Sequence, residues 1–361
     1  MSDSKTSSVD RRTFVKLGSA GVIGGLAGCS GGGGGNQNGG GEDSGGDQDG
    51  GGGEQNTGTK TTASSGGNVP SSLTFAGGGE GGAWYLGAAT WAQFAKKAFS
   101  GVNTTTTTGG GRSNVVKTSN KELDFAWTFT NTLNQGYHGT AGFPKSYKNI
   151  RAVCSVWPAQ VMALAHPDIK SYNDLKGKSI APGKKGFSGY AAALRVLKNY
   201  GISKDQVEIV TGGYSAMPSL FKDGTVASVH VMGSIPHPVI SNSLAQAKGR
   251  LLPVNSDIRS KIISNNPGYL NLDIPAGSFD AVNNDSAVST VGAQTIVFTY
   301  KDMPESVVYE LTKMNFKNKQ RMVDAHSVYQ KMSVDQATAG FSDVPIHPGA
   351  KRALKELGAD V

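Results

Sequence analysis

Five glycines between positions 77 and 82, followed at once by Trp84 and Tyr85, make the densest group of residues able to hold a ligand. Glycine lets a backbone turn sharply and bring its N–H groups up to a guest, and an anion is the guest such donors favour. Gly81 and Gly82 are the candidate donors, with Trp84 and Tyr85 as apolar walls. A second group, Gly109 to Asn114 (GGGRSN), adds Arg112, whose planar guanidinium can pair a carboxylate through two bonds, and Ser113 and Asn114 as hydrogen-bonding side chains. Thr130 and Asn131 follow a short apolar run. Phe187, Ser188 and Gly189 close a further glycine turn, and Gly233 and Ser234 open the loop that follows Ala227 to Met232. Helix capping accounts equally well for any one of the Ser, Thr and Asn residues, core packing for any one aromatic, and a solvated surface for Arg112.

Other chemistries find little support. Gly77, Gly79 and Gly82 satisfy G-x-G-x-x-G, but the next strand carries no acidic residue to hold a ribose, and no Lys-Ser/Thr pair follows for a phosphate loop. There is no H-E-x-x-H, C-x-x-C or G-x-S-x-G. Glu80, Asp124 and Asp174 are scattered rather than paired. His230 stands in an apolar run and reads as an interior histidine, whereas His237 between two prolines is placed to edge a cleft. Cys154 reads as a small buried hydrophobe. No metal, cofactor or catalytic group is assigned.

These groups need elements to position them. Leu73 to Phe75 suits a short strand, with a helix from about Gly87 to Phe99 beyond the glycines. Strands are expected at Val102 to Thr108, Asp124 to Phe129, Ile150 to Val156, Val161 to Ala165, Ser179 to Ala181, Val207 to Val210, Ala227 to Met232, Leu251 to Val254 and Gln294 to Tyr300, with helices between many of them. Thr130, Asn131 and Thr132 are N-cap types. Four loops therefore lie where a strand ends and a helix begins, two in each half. In open α/β sheets such loops gather ligands at the carboxyl ends of the strands. The expected fold is α/β and two-lobed, with the ligand cleft between the lobes.

The N-terminal segment points to a compartment. Arg11 and Arg12 precede a short, glycine-diluted apolar run, Leu17 to Ala27, that is too short to span a bilayer and ends in LAGC at Cys29. Paired arginines before a mild apolar segment mark a twin-arginine export signal. Residues 1–28 read as that signal, with Cys29 as the lipidated residue. Residues 29–67 read as a glycine-rich tether whose few apolar side chains cannot offset chain entropy. Residues 1–67 carry 5 basic and 7 acidic side chains, and the whole chain is +8, so residues 68–361 hold +10. The basic residues are scattered without interleaved aromatics, which argues against nucleic acid and leaves anionic solutes or a membrane surface as partners.

Four segments in order resemble the TAXI solute receptors of tripartite transporters: LTFAGGGEGGAWYLGAA (Leu73 to Ala89), GGGRSNVVKTSNKELDFAWTFTNTL (Gly109 to Leu133), DLKGKSIAPGKKGFSGYAAALRVL (Asp174 to Leu197) and VPIHPGAKRALKELG (Val344 to Gly358). Nearly all of residues 70–361 takes part. The resemblance implies a type II periplasmic-binding-protein fold, with lobe I at 68–157 plus 283–361 and lobe II at 158–282. It also implies a small anionic or zwitterionic solute, of the glutamate, glutamine or dicarboxylate kind, handed to an ion-gradient-driven TRAP permease. Trp84, Arg112, Phe129 and Phe187 depart from residues common in that family at those positions. An exported cleft enzyme and a surface sensor without a transport partner remain open alternatives.

Overall fold

The computed structural model of the chain describes residues 69–361, so Arg11, Arg12, Cys29, the export signal and the tether lie outside the described residues. Strands and helices alternate from the start: β1 (Ser72–Ala76), α1 (Ala83–Ala98), β2 (Asn103–Thr107), α2 (Gly111–Ser119), β3 (Phe125–Phe129) and α3 (Thr130–His138). A long strand, β4 (Ile150–Ala165), leads to β5 (Ser179–Ala181), α4 (Ser188–Asn199), β6 (Glu208–Ile209), α5 (Met217–Lys222), β7 (Ser228–Gly233) and α6 (Pro238–Leu244). Then come β8 (Arg250–Leu251), α7 (Ser256–Asn265), β9 (Leu270–Ile274) and a second long strand, β10 (Val288–Tyr300). Helices α8 (Glu305–Lys317), α9 (Lys319–Ala325) and α10 (Pro348–Glu356) complete the chain.

The strands follow the order β2-β1-β3-β10-β4-β7-β5-β6, with β8 on β4 and β9 on β10. Strand β1 is parallel to β2 and β3, and β5 is parallel to β6 and β7. The long strands run antiparallel to each other from Ile150 opposite Tyr300 to Gln160 opposite Gly292. There they part. From Gln160 onward β4 pairs with β7, while β10 pairs with β9 between Val288 and Gly292 and with β3 between Thr295 and Phe298. Two half-sheets thus share two crossing strands.

Sequence alternation decides which face each side chain covers. In the first half Phe75, Phe125 and Trp127 turn to one face, with Trp91 and Leu311, while Ala76, Ala126 and Phe298 turn to the other, with Val115 and Leu133. In the second half Val161, Ala163 and Ile180 pack with Val196 and Ile262; Met162, Leu164 and Val229 pack with Phe221 and Ile240. Full burial of each large apolar side chain contributes roughly 1.5–3 kcal/mol. With helices on both faces of both halves, the strands read as apolar runs.

The elements differ from expectation in several places: β10 begins at Val288 rather than Gln294, and β8 is Arg250–Leu251 rather than Leu251 to Val254. The strands expected on either side of Trp157 and Pro158 are one, β4. Pro158 lies opposite Gln294 of β10 and just before Gln160, where pairing with β7 begins, so no ladder bond to β7 is lost there. Register shifts against Thr295/Ile296 and Val297/Phe298 bend the strand nearby. The first helix begins at Ala83, with Leu86 N–H donating to Gly82 O at 3.0 Å. Trp84 and Tyr85 therefore belong to its first turn, not to the loop.

Candidate functional site

The loops after β1 and β2 are locked together by one residue. Asn114, fully buried, donates through Nδ2 to Gly77 O and Trp127 O, each at 2.9 Å, and accepts from Gly110 N–H at 3.2 Å. Its amide holds the ends of β1, β2 and β3 in register, and full burial keeps it from a ligand. Ser113 is likewise committed, donating to Gly110 O at 3.0 Å. Gly77 must be glycine, because a Cβ there would lie 2.4 Å from Tyr85 Cα. That contact seats α1 against the strand end, and Tyr85 stands half-buried behind it. Gly81 and Gly82 are exposed, and Gly82 N–H donates back to Gly79 O at 3.1 Å.

Arg112 is the uncommitted residue of this wall. Its Nη1 donates to Ala141 O at 2.8 Å and its guanidinium lies 4.1 Å above the Phe143 ring, which fixes the plane while leaving the side chain exposed. No carboxylate lies within 4.0 Å of it among the described residues.

Thr130 and Asn131 do not cap α3. Phe129 precedes the helix in an extended conformation, and both residues fall inside it. The Thr130 hydroxyl donates to Gly268 O at 2.8 Å and accepts from Gln294 N–H at 3.1 Å. Asn131 O accepts from Asn266 Nδ2 at 3.0 Å. The pair ties the start of α3 to the turn between α7 and β9.

Across the cleft, Phe187 and Ser188 open α4. Gly189 is a packing residue: a Cβ there would come within 3.0 Å of Val231 Cα, so its absence lets α4 lie on β7. Tyr214 covers this helix start, its ring meeting Phe187 edge-on at 4.8 Å. Burial pushes the Tyr214 phenol up, while the Ser188 side chain and the Gly189 amide pull it the other way. Gly233 and Ser234 lie at the end of β7 beside the His237 ring. Burial holds His237 down to about 4, and its Nδ1 accepts from Val239 N–H at 3.3 Å. His230 is the expected interior histidine. It is bonded to Ser228 at 2.8 Å and also held down to about 4 by burial.

A cavity of about 270 Å³ lies where these walls meet. The first lobe supplies Trp84, Gly111, Arg112, Phe129, Thr132 and Gln135; the second supplies Gly186, Phe187, Ser188 and Ala191. Trp84 meets Phe129 edge-on at 4.8 Å and packs against the cores of both lobes. Of the residues singled out in the sequence, Trp84, Arg112, Phe187 and Ser188 are gathered here. Gly81, Gly82, Tyr85, Ser113, Asn114, Thr130, Asn131, Gly189, Gly233 and Ser234 are not among the residues that line it. Thr132, Gln135 and Ala191 were missed. Their signal was helical spacing: Thr132 and Gln135 share a face of α3, as do Ser188 and Ala191 of α4.

An antiparallel strand from late in the chain, inserted between β3 and β4, and two strands crossing between half-sheets define a two-lobed periplasmic-binding-protein fold. The chain belongs to the NMT1-like family, whose model it matches over residues 75–358. It is similar to the alkanesulfonate-binding protein SsuA from Xanthomonas axonopodis pv. citri bound to MOPS (13% identity, 80% of this chain and 84% of that one, TM-score 0.40). Similar too are the aliphatic sulphonate binding protein SsuA from Escherichia coli (12%, 80% and 85%, TM-score 0.44) and a ligand-binding component of an ABC-type import system from Staphylococcus aureus with zinc bound (12%, 79% and 90%, TM-score 0.40).

Proposed function

We propose that this chain is an extracytoplasmic solute receptor, lipid-anchored through Cys29 after export directed by Arg11 and Arg12, that closes on a small carboxylate-bearing solute and delivers it to a TRAP-type permease. The observation that carries the reading is the 270 Å³ cavity, in which Arg112 of one lobe faces the start of α4, with Ser188, in the other. Its size suits an amino acid or a small organic acid. A carboxylate there would meet a pre-oriented guanidinium and the positive end of a twelve-residue helix. Trp84, Phe129 and Phe187 exclude water, and a lower local dielectric strengthens each polar contact. Since donors come from both lobes, a bound solute favours the closed arrangement over the open one. The TRAP partner and the amino-acid or dicarboxylate class rest on the four resembling segments.

The test is calorimetry and thermal shift with a panel of organic acids and amino acids. Binding without turnover is expected. Arg112→Met is expected to weaken it on the order of tenfold or more while moving stability by less than about 1 kcal/mol, since a solvated arginine is replaced. Product formation would favour the cleft-enzyme reading, and failure of every acid to bind would end the carboxylate assignment.

A further inference from the structure

A second hollow of about 580 Å³ opens beside the first and shares Gln135 and Ala191 with it. Thr140 and Ala141 contribute from beyond α3, Arg195, Lys198 and Asn199 from α4, and Asn265 and Asn266 from the end of α7. Ser188, Ala191, Arg195 and Lys198 are spaced by three, four and three residues, so one face of α4 runs from the first hollow into the second. Ala191, exposed and ending at Cβ, puts no barrier between them.

The far end of that face is basic and lacks a counter-ion from the protein: neither Arg195 nor Lys198 has a carboxylate within 4.0 Å among the described residues. Arg195 lies over the Tyr269 ring at 5.4 Å, and its Nε is buried without a partner. A merely solvated rim would leave that nitrogen in water. Instead the guanidinium is partly desolvated in a hollow also lined by Gln135 and Asn265, while the amides of Asn199 and Asn266 are spent on Arg195 O, Asn131 O and Gly268 N–H. Desolvated cations are matched by anions. Arg112 stands at the boundary, bonded to Ala141 O, which belongs to the second hollow.

We propose that the second hollow is an anion subsite of the same cleft, and that the solute is an elongated diacid. One carboxylate sits between Arg112 and the start of α4, the other at Arg195 and Lys198. This rests on the receptor reading above and narrows it. Seven residues of helix from Ser188 to Arg195 rise about 10 Å, which a straight diacid of roughly six to nine carbons spans.

Calorimetry with adipate and suberate against hexanoate and octanoate tests it. Suberate is expected to bind tighter than octanoate by on the order of tenfold or more, the worth of a charged hydrogen-bonded pair. Arg195→Gln with Lys198→Gln is expected to bring suberate down to the octanoate level. Lys198→Gln alone, at an exposed position, should remove part of the advantage and serves if the double variant folds poorly. Equal binding of suberate and octanoate, or an advantage that survives these substitutions, overturns the subsite and leaves the receptor reading standing. Failure of every acid to bind overturns both.

Discussion

The two walls of the cleft use polar residues in opposite ways. In the first lobe the strand-to-helix junctions are closed by their own side chains: Asn114 spends its amide on three backbone groups, and Thr130 spends its hydroxyl on two. In the second lobe the polar face of α4 keeps Arg195 and Lys198 turned to the second hollow, Ser188 lines the first while also bonding Tyr214, and backbone contact at Gly189 does the structural work. A buried amide with every bond made is architecture, because removing it strands its partners. A cation with no protein counter-ion is available to a guest. Arg112 is the exception on the first wall, since only part of its fork is used.

The sharpest way to break this comparison is Asn114→Ala. It leaves Gly77 O, Trp127 O and the Gly110 N–H unpaired, and the expected loss is about 3–5 kcal/mol in urea unfolding. A loss below about 1 kcal/mol would remove Asn114 from the architecture, contrary to the comparison.

Acidification comes next. His230 and His237, both in the second lobe, are held near 4 in the folded chain against about 6.5 when unfolded, so the unfolded chain binds more protons between those values. Their contribution is whole above pH 6.5 and is lost as pH falls toward 4, up to about 3 kcal/mol each. His347 in the first lobe is shifted the same way by burial. His230→Asn with His237→Asn should flatten the fall of Tm between pH 6.5 and 4 without abolishing it; an unchanged slope would show that these rings do not carry it.

The smallest effect is expected for Gly189→Ala, about 1–3 kcal/mol, as the new methyl lifts α4 from Val231. The same change should weaken solute binding, because α4 supplies Ser188 and Ala191 to the second wall. Intact affinity in thermal-shift titration would mean the helix need not be seated closely on β7.

Much of the fold was readable from the chain. Apolar runs such as Phe125 to Phe129 and Val161 to Ala165 are buried on both faces, and each expected strand-to-helix junction exists. Less was legible at the site. Asn114 and Thr130 have the right chemistry at the right loops, yet their side chains bond to Gly77 and Gly268, 37 and 138 residues away. Sequence spacing carries no sign of such partners. Pro158 misled for a related reason: whether a strand tolerates proline depends on its neighbour, and β7 joins from elsewhere in the chain. The crossing of β10 between lobes lies at Gly292 to Thr295, and the sequence reads as a strand only from Gln294 because Gly292, Ala293 and Gln294 interrupt the apolar run.

By itself the sequence determined local matters: where strands stop, where glycine admits a close approach, which residue types gather at each turn, and that α4 carries Ser188, Ala191, Arg195 and Lys198 on one face. Those follow from steric preference and from periodicity, which act over a few residues. Only the tertiary structure decided which polar groups are spent on the protein and which remain for a guest. That depends on which distant backbone atoms crowd each side chain when the two lobes assemble around β4 and β10.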